Sequence, residues 1–497
     1  MRKKNSLKNF FTDIVPYFVF AIIGFIQVRI FINNLGEETY SLNQLFIQLF
    51  SYISLVEGGV GAIISQQYYK LLVNDDKMKI KELYFSSKKA MKNISILILI
   101  IGIIVSFTLK LITNNSLTLQ YMQFVFLLYI IRSIVEYLNL PPRFVIQADQ
   151  KLYKINLKLN FFKFIEAILQ LCLIYYKLDY IIILIVSIII RLIMYKVVNS
   201  KIYTEYPWLN RKENITPKKV SGIGYMFYHK IAGAVYNNVD ILLISAKMEP
   251  LYVTAYSSYN YLTRYINDVI YMLGNSLMAS LGNVIYKESN ETSRKIFEEL
   301  LSFFMFLGCF FSINMLMLSK NFVNIWIGEE YQLDNIAIVM MSFLLFISIS
   351  KRIVALLCEA NGFYKETKNI VILEAISNLV LSIVLLNFYG INGVIFATII
   401  SYFLTTFWYY PRFIYSKIYK NGIEKYIKVY VVSILLLIFG LIASLYINYN
   451  VKNFIDWFLF ACVNSIVSGC ILIIIFYFTN DSFKSIIKKF LLLIKGR

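Results

Sequence analysis

The chain has one histidine, five cysteines and far fewer acidic than basic residues, and each shortage closes off a class of function. A lone imidazole, His229, cannot build a His-based metal cluster, so its expected role is packing or hydrogen bonding. Cys172, Cys309, Cys358, Cys462 and Cys470 all fall in apolar stretches without the paired spacing of zinc sites or disulfide frameworks. They read as small packing residues, and no cofactor or metal is expected. Charged residues make up only 16% of the chain against 59% apolar, which lies outside the soluble range. No cleavable signal peptide is expected either. The apolar run after Arg2, Lys3, Lys4 and Lys8 is long enough to span and has no small-residue cleavage site, so it is expected to act as its own targeting signal. Finally, the net charge of +20 is not gathered into a basic face or nucleic-acid motif, so no nucleic-acid partner is expected.

What is present is apolar length. Crossing ~30 Å of hydrocarbon takes ~20 apolar residues. About 14 such stretches recur, near 14–35, 40–65, 93–113, 119–139, 156–176, 180–198, 223–246, 252–281, 299–319, 334–358, 369–388, 391–411, 427–448 and 455–479. The fold class is therefore an all-α polytopic membrane protein. Assigning loops alternately to the two sides, from an internal N-terminus, places roughly 36 of the 49 basic residues inside and about 5 outside. The inside set includes Lys77, Lys79, Lys81, Lys88, Lys89 and Lys92, then Arg211, Lys212, Lys218 and Lys219, then Lys484, Lys488, Lys489 and Lys495. Both termini are accordingly expected in the cytoplasm. Outside connections such as Asn33 to Glu38 and Phe388 to Asn392 are too short to hold an extracytoplasmic domain.

An internal repeat is visible. Tyr40-Ser41, Asn74, Lys79-Ile80 and Glu82 recur as Tyr256-Ser257, Asn290, Lys295-Ile296 and Glu298, all displaced by 216 positions. Ala148-Asp149 and Tyr153-Lys154 are echoed by Ala360-Asn361 and Tyr364-Lys365. The expected organisation is a six-helix bundle over 1–205, a cytoplasmic linker over 206–219, a second six-helix bundle over 220–415, and two further helices with a basic tail over 416–497. Repeats an even number of spans apart share one orientation, the parallel arrangement of transporters.

Ionisable residues inside spans are the sharpest functional signal, since each costs ~2.5–3.5 kcal/mol on insertion scales. The basic ones are Arg29, Arg132, Lys163, Arg191, Lys230, Arg264, Lys351 and Arg352; the acidic ones are Glu57, Glu136, Glu166, Asp240, Asp268 and Glu374. Arg132 with Glu136 and Arg264 with Asp268 stand at i and i+4, where each could neutralise its neighbour. Arg191, Lys351 and Arg352 are expected to snorkel toward the cytoplasm. Arg29, Arg132, Lys163, Lys230 and Arg264 are the candidates for an anionic head group, because guanidinium and ammonium groups hold phosphate oxygens strongly where little water competes. Asp240, Asp268 and Glu57 are the candidates for a coupling proton or sodium ion. Gly58, Gly59 and Gly61 read as helix-packing positions.

Four short motifs then occur in order. Leu35-Gly36-Glu37-Glu38-Thr39-Tyr40 and Val56-Glu57-Gly58-Gly59-Val60-Gly61 lie in the first half; Ile327-Gly328-Glu329-Glu330-Tyr331 and Ala360-Asn361-Gly362 through Lys365 lie in the second. On a 14-span scaffold this series resembles the bacterial polysaccharide (Wzx-type) flippases, within the multidrug, oligosaccharidyl-lipid and polysaccharide exporter superfamily. Ser41 departs from the pattern, standing where glycine is common. The resemblance implies alternating access by two bundles, a cationic lumen for a pyrophosphate-linked glycan with Arg29 and Arg264 at its basic positions, and a groove for the polyprenyl tail. Implied partners are the undecaprenyl-pyrophosphate-linked glycan, the lipid bilayer, a coupling proton or sodium ion, and a polysaccharide polymerase with its assembly proteins. The implied location is the bacterial inner membrane. No covalent bond is broken, so the chain is read as a non-enzyme. The alternatives are a cation-coupled multidrug exporter of the same architecture, which would favour a net acidic cavity, and a glycan polymerase or ligase, which would need a large external loop.

Overall fold

The computed structural model describes residues 2–73, 76–149, 151–210, 226–287, 289–446 and 451–494. Asn74, Arg211, Lys212, Lys218, Lys219 and Lys495, and with them most of the expected linker, lie outside the described residues. Among the described residues every regular element is helical. The α-helices in chain order are α1 (Arg2–Ile53), α2 (Val60–Val73), α3 (Lys77–Ser106), α4 (Leu119–Leu138), α5 (Leu140–Ala148), α6 (Tyr153–Tyr175), α7 (Tyr180–Glu205) and α8 (Met226–Lys247). They continue with α9 (Pro250–Lys287), α10 (Asn290–Ile327), α11 (Asn335–Ala360), α12 (Tyr364–Leu404), α13 (Thr406–Lys417), α14 (Ile423–Tyr446), α15 (Phe454–Thr479) and α16 (Asp481–Ile494).

Among the described residues, nine stretches are long and apolar enough to cross a membrane. Two of them, Val15–Glu57 and Tyr364–Lys417, cover 43 and 54 residues. At ~1.5 Å per residue each is about twice the length that a bilayer core requires. Each also contains a glycine with positive φ, Gly36 at 82° and Gly390 at 57°, where the helix direction changes. A side chain disfavours that conformation, so glycine allows the chain to reverse within one or two residues. Gly36 and Gly390 fall at the two short connections, 33–38 and 388–392, read from the sequence. Three further helices, α6, α8 and α9, have the length but carry too many polar or charged residues to qualify on composition. Counting the two reversals and these three helices gives the expected fourteen crossings of a multi-pass membrane protein.

The lipid-facing surface is equally direct. Ile96, Ile100 and Ile104 on α3, Ile189, Leu192 and Ile193 on α7, and Leu435, Phe439, Phe458, Ile466 and Ile474 on α14 and α15 are all exposed. Continuous apolar exposure of this kind excludes a water-facing surface.

The chain forms two compact units: residues 1–234 with 245–253, and residues 235–244 with 254–497. Within the first unit α1 packs on α6, α3 on α4, α2 on α5, and α7 on both α4 and α6. Within the second, α10 is the hub, contacted by α11, α14, α15 and α16, while α12 packs on α11 and α13. Polar groups fix α15 to that hub: Asn464 and Ser465 both donate to Asn314 Oδ1, at 2.9 and 3.0 Å, and Asn314 donates to Ser468 Oγ at 3.2 Å. Trp457 Nε1 donates to the Leu318 carbonyl at 3.1 Å.

Two expectations need correction. The second span was expected to run unbroken over 40–65; instead a 3-10 turn at Ser54–Glu57 and left-handed Gly58 and Gly59 interrupt it. These glycines therefore make a break and not only a packing face. The ninth span, expected at 299–319, belongs to a 38-residue helix, because Arg294 and Glu298 end the apolar run without ending the helix. Their charges are satisfied there by Asn421, Lys425 and each other.

Candidate functional site

A polar centre lies among the helices of the first unit. α4 supplies Arg132 and Glu136, α5 supplies Arg143, α6 supplies Lys163 and Glu166, and α7 supplies Arg191. The Glu166 side chain, 6% exposed, accepts from Arg132 Nη2 at 2.8 Å and from Arg191 Nε at 3.1 and 3.3 Å. Glu136 lies 3.4 Å from Arg191 Nη1 and 3.9 Å from Arg143 Nη1. Lys163 feels the charges of Glu136, Glu166, Arg143 and Arg191, yet makes no ion pair among the described residues. Four cations thus surround two carboxylates, and the centre is net positive. The buried Arg132 Nε has no hydrogen-bond partner among the described residues. Gln27 on α1 extends the polar centre, donating to Gln170 at 2.9 Å, which in turn donates to Ser187 Oγ at 2.6 Å.

The sequence spacing suggested Arg132 with Glu136, and the structure replaces that pair. An i,i+4 pair is worth ~0.3–0.5 kcal/mol, whereas a buried carboxylate stripped of its partner costs ~3–5 kcal/mol, so Glu166 draws both guanidiniums from neighbouring helices. Arg191, Lys351 and Arg352, expected to snorkel, each carry a carboxylate partner. Arg191 turns to Glu166 and Glu136. Lys351 Nζ sits 2.7 and 2.6 Å from the carboxylate oxygens of Glu374, and Arg352 Nη1 sits 3.0 and 3.1 Å from those of Glu359.

The remaining candidates fall in three places. Lys230 Nζ is 2.8 Å from Glu57 Oε2 in the first unit, beside the break in the second span. The other oxygen of Glu57 accepts from the Gly61 N–H at 3.2 Å, capping the start of α2. Arg29 is exposed on α1, two positions after Gln27. Arg264 and Asp268, in the second unit, are 3.9 Å apart on the exposed face of α9, with 68% of the Arg264 side chain accessible. Asp240, 7% exposed, accepts from Tyr256 Oη at 2.7 Å, while its Oδ1 is buried without a partner among the described residues. The structure therefore brings Arg132 and Lys163 into one centre, pairs Lys230 with Glu57, and sets Arg264 beside Asp268 in the second unit.

Sequence reasoning missed Arg143 and the surroundings of Lys351 in the second unit. Glu374, 2% exposed in its side chain, also accepts from Thr406 Oγ1 at 3.0 Å. The Lys351 ammonium lies 5.1 Å from the Tyr236 ring and 5.7 Å from the Tyr402 ring. The glutamate, the lysine and the two rings come from separate stretches of chain, and no sequence spacing signals such a meeting.

No protein-family model matches the sequence, and no curated protein matches it. Solved structures do. The lipid II flippase MurJ in an inward closed conformation aligns with a TM-score of 0.64 at 16% identity, covering 95% of this chain and 98% of that one. An inward-facing multidrug resistance MATE family transporter of the MOP superfamily aligns at 0.60 and 12% identity, covering 85% and 94%. A point mutant of the Vibrio cholerae MATE transporter VcmN aligns at 0.57 and 13% identity, covering 84% and 99%. Flippases and drug transporters of one superfamily share this architecture, and the present chain has the fold of the MOP-superfamily transporters.

Proposed function

We propose that this chain is a flippase that carries undecaprenyl-pyrophosphate-linked oligosaccharide units across the bacterial inner membrane by alternating access, for surface polysaccharide assembly, with both termini in the cytoplasm. The observation that carries the reading is the cationic excess of the first unit's polar centre. Lys163 stands ten residues, about 15 Å, into α6, near the middle of a hydrocarbon core of ~30 Å. An ammonium at that depth with no carboxylate bound is costly unless an anion or water meets it. A pyrophosphate fits that requirement: its oxygens take several charge-assisted hydrogen bonds, and Arg132, Lys163 and Arg191 offer donors on three neighbouring helices. Arg29 and Lys230 in the first unit and Arg264 in the second are proposed as separate points of anion contact, and the polyprenyl tail stays in lipid. Asp240, with its unpartnered oxygen, is the first choice for a coupling proton or sodium ion. Glu57 and Asp268 are weaker choices, since each already faces a cation.

A second reading, a cation-coupled multidrug exporter, is favoured by the MATE neighbours and by Asp240. Deletion of the gene separates the two. On the flippase reading the deletion strain accumulates lipid-linked repeat units on the cytoplasmic leaflet, and the native chain clears them while Lys163→Met, Arg29→Ala and Arg264→Ala do so poorly. Normal surface glycan with altered drug sensitivity in that strain would instead establish the exporter.

A further inference from the structure

α9 is an unusual transmembrane helix. It is long enough to cross, yet tyrosines and polar groups recur along it at helical spacing, and it is one of the three helices that fail on composition. Tyr261, Arg264, Tyr265, Asp268, Tyr271 and Asn275 follow one another at intervals of one, three or four residues, which sets them on one broad face. None of the six is buried. Arg264, at 68% exposure, lies about 21 Å from the start of the helix, a depth at which an exposed guanidinium cannot face hydrocarbon without a cost of ~2.5–3.5 kcal/mol. This face is therefore wet.

Tyrosines on a membrane helix are ordinarily an interfacial belt, gathered at the two ends. Tyr261 and Tyr265 do not fit that role. They stand about 16 and 22 Å from the start of a 38-residue helix about 57 Å long, away from both of its ends. They are also held rigidly: their hydroxyls are 2.9 Å apart, their rings meet edge to face at 4.8 Å, and the buried Trp326 of α10 stacks on Tyr261 at 6.0 Å. Phe322 backs Trp326 at 5.5 Å. Further along, the Arg352 guanidinium lies 4.6 Å from the Tyr271 ring and donates to Asn275 Oδ1 at 2.7 Å, fixing both side chains from behind.

We infer that this face of α9 is a glycan track, with Tyr261 and Tyr265 as the stacking platform for the sugars nearest the head group. A rigid aromatic ring offers an apolar face to the C–H patches of a pyranose, and hydroxyl, carboxylate, guanidinium and amide groups interleaved at single-turn spacing meet its hydroxyls. The inference rests on the flippase reading and deepens it. Arg264 is a head-group contact there, and the first sugars of the cargo are joined directly to the pyrophosphate, within one turn of helix from the two tyrosines.

The test uses the full chain in nanodiscs and two ligands, undecaprenyl pyrophosphate without sugar and the undecaprenyl-pyrophosphate-linked oligosaccharide extracted from the deletion strain. The native chain should bind the glycosylated lipid at least about tenfold more tightly than the bare one, equal to ~1.4 kcal/mol. Tyr261→Leu/Tyr265→Leu should lose that difference while keeping the bare-lipid affinity, which also reports that it is folded. Tyr261→Phe/Tyr265→Phe, which keeps the rings, should retain most of it and serves with Asp268→Ala if the leucine variant does not fold. Equal affinity of the native chain for both lipids overturns the track and leaves the flippase reading standing. Binding of neither lipid overturns that reading and the track together. Ethidium binding that the leucine variant abolishes would assign the face to aromatic cations and overturn the glycan.

Discussion

The two units treat intramembrane charge in opposite ways. In the second unit Lys351 is closed by Glu374 and Arg352 by Glu359, while Arg264 meets Asp268 only at 3.9 Å on an exposed face, and Asp240 is left over without a cation among the described residues. In the first unit's centre the cations outnumber the carboxylates, and Arg132 and Arg191 share Glu166. A closed pair such as Lys351 with Glu374 ties α11 to α12 and leaves little charge for a ligand. A centre in positive excess gives up some of that stability and keeps attraction for an anion. The contrast separates structural charge from charge that remains available, which a count of intramembrane residues alone does not do.

Breaking a closed pair should have the largest effect. Glu374→Leu leaves the part-buried Lys351 with no acceptor in an apolar surrounding and should destabilise the protein by ~3–5 kcal/mol, read from thermal unfolding in detergent, whereas Lys351→Met/Glu374→Leu should return to within ~1 kcal/mol of the native chain. Were the double variant as unstable as the single one, the pair would not be the closed unit described. In the open centre, Glu166→Gln should cost less, ~2 kcal/mol, because the amide keeps an acceptor oxygen for a guanidinium and Arg191 also faces Glu136.

Lys163→Met sharpens the comparison from the other side. Removing a cation that neutralises no carboxylate should shift stability by no more than ~0.5 kcal/mol, yet clearance of lipid-linked units in the complementation assay should fall about tenfold, or ~1.4 kcal/mol. Wild-type clearance in that variant would remove the functional meaning of the positive excess. The smallest effect belongs to Asp268→Asn: its partner is exposed and 3.9 Å away, so the loss should stay within ~0.5 kcal/mol in an unfolding measurement, and added salt should shrink it further.

Much of the fold was legible in the residues. The apolar runs gave the crossings because hydrocarbon demands a fixed length of apolar helix, and the Leu35-Gly36 and Tyr389-Gly390 turns were marked by short polar or glycine-bearing breaks. The site was legible only as a set of names. Arg132 and Lys163 were singled out as costly charges in a membrane, and they do share a centre. That Arg132 would choose Glu166, 34 positions away, over Glu136 one turn along its own helix was not readable. Nor was the meeting of Lys351 with Glu374, Tyr236 and Tyr402. The tyrosine face of α9 was present in the sequence throughout, but its residues could not be told from an interfacial belt until their depth and their aromatic backing were known.

The sequence by itself determined that this chain lives in a membrane as a bundle of helices, and which charges it carries there, because solvent selects hydropathy and length one segment at a time. Which of those charges are neutralised and which stay available was decided only by tertiary structure. Ion pairing at depth depends on which helices lie side by side, and packing, which sequence spacing does not encode, brings together partners far apart in the chain.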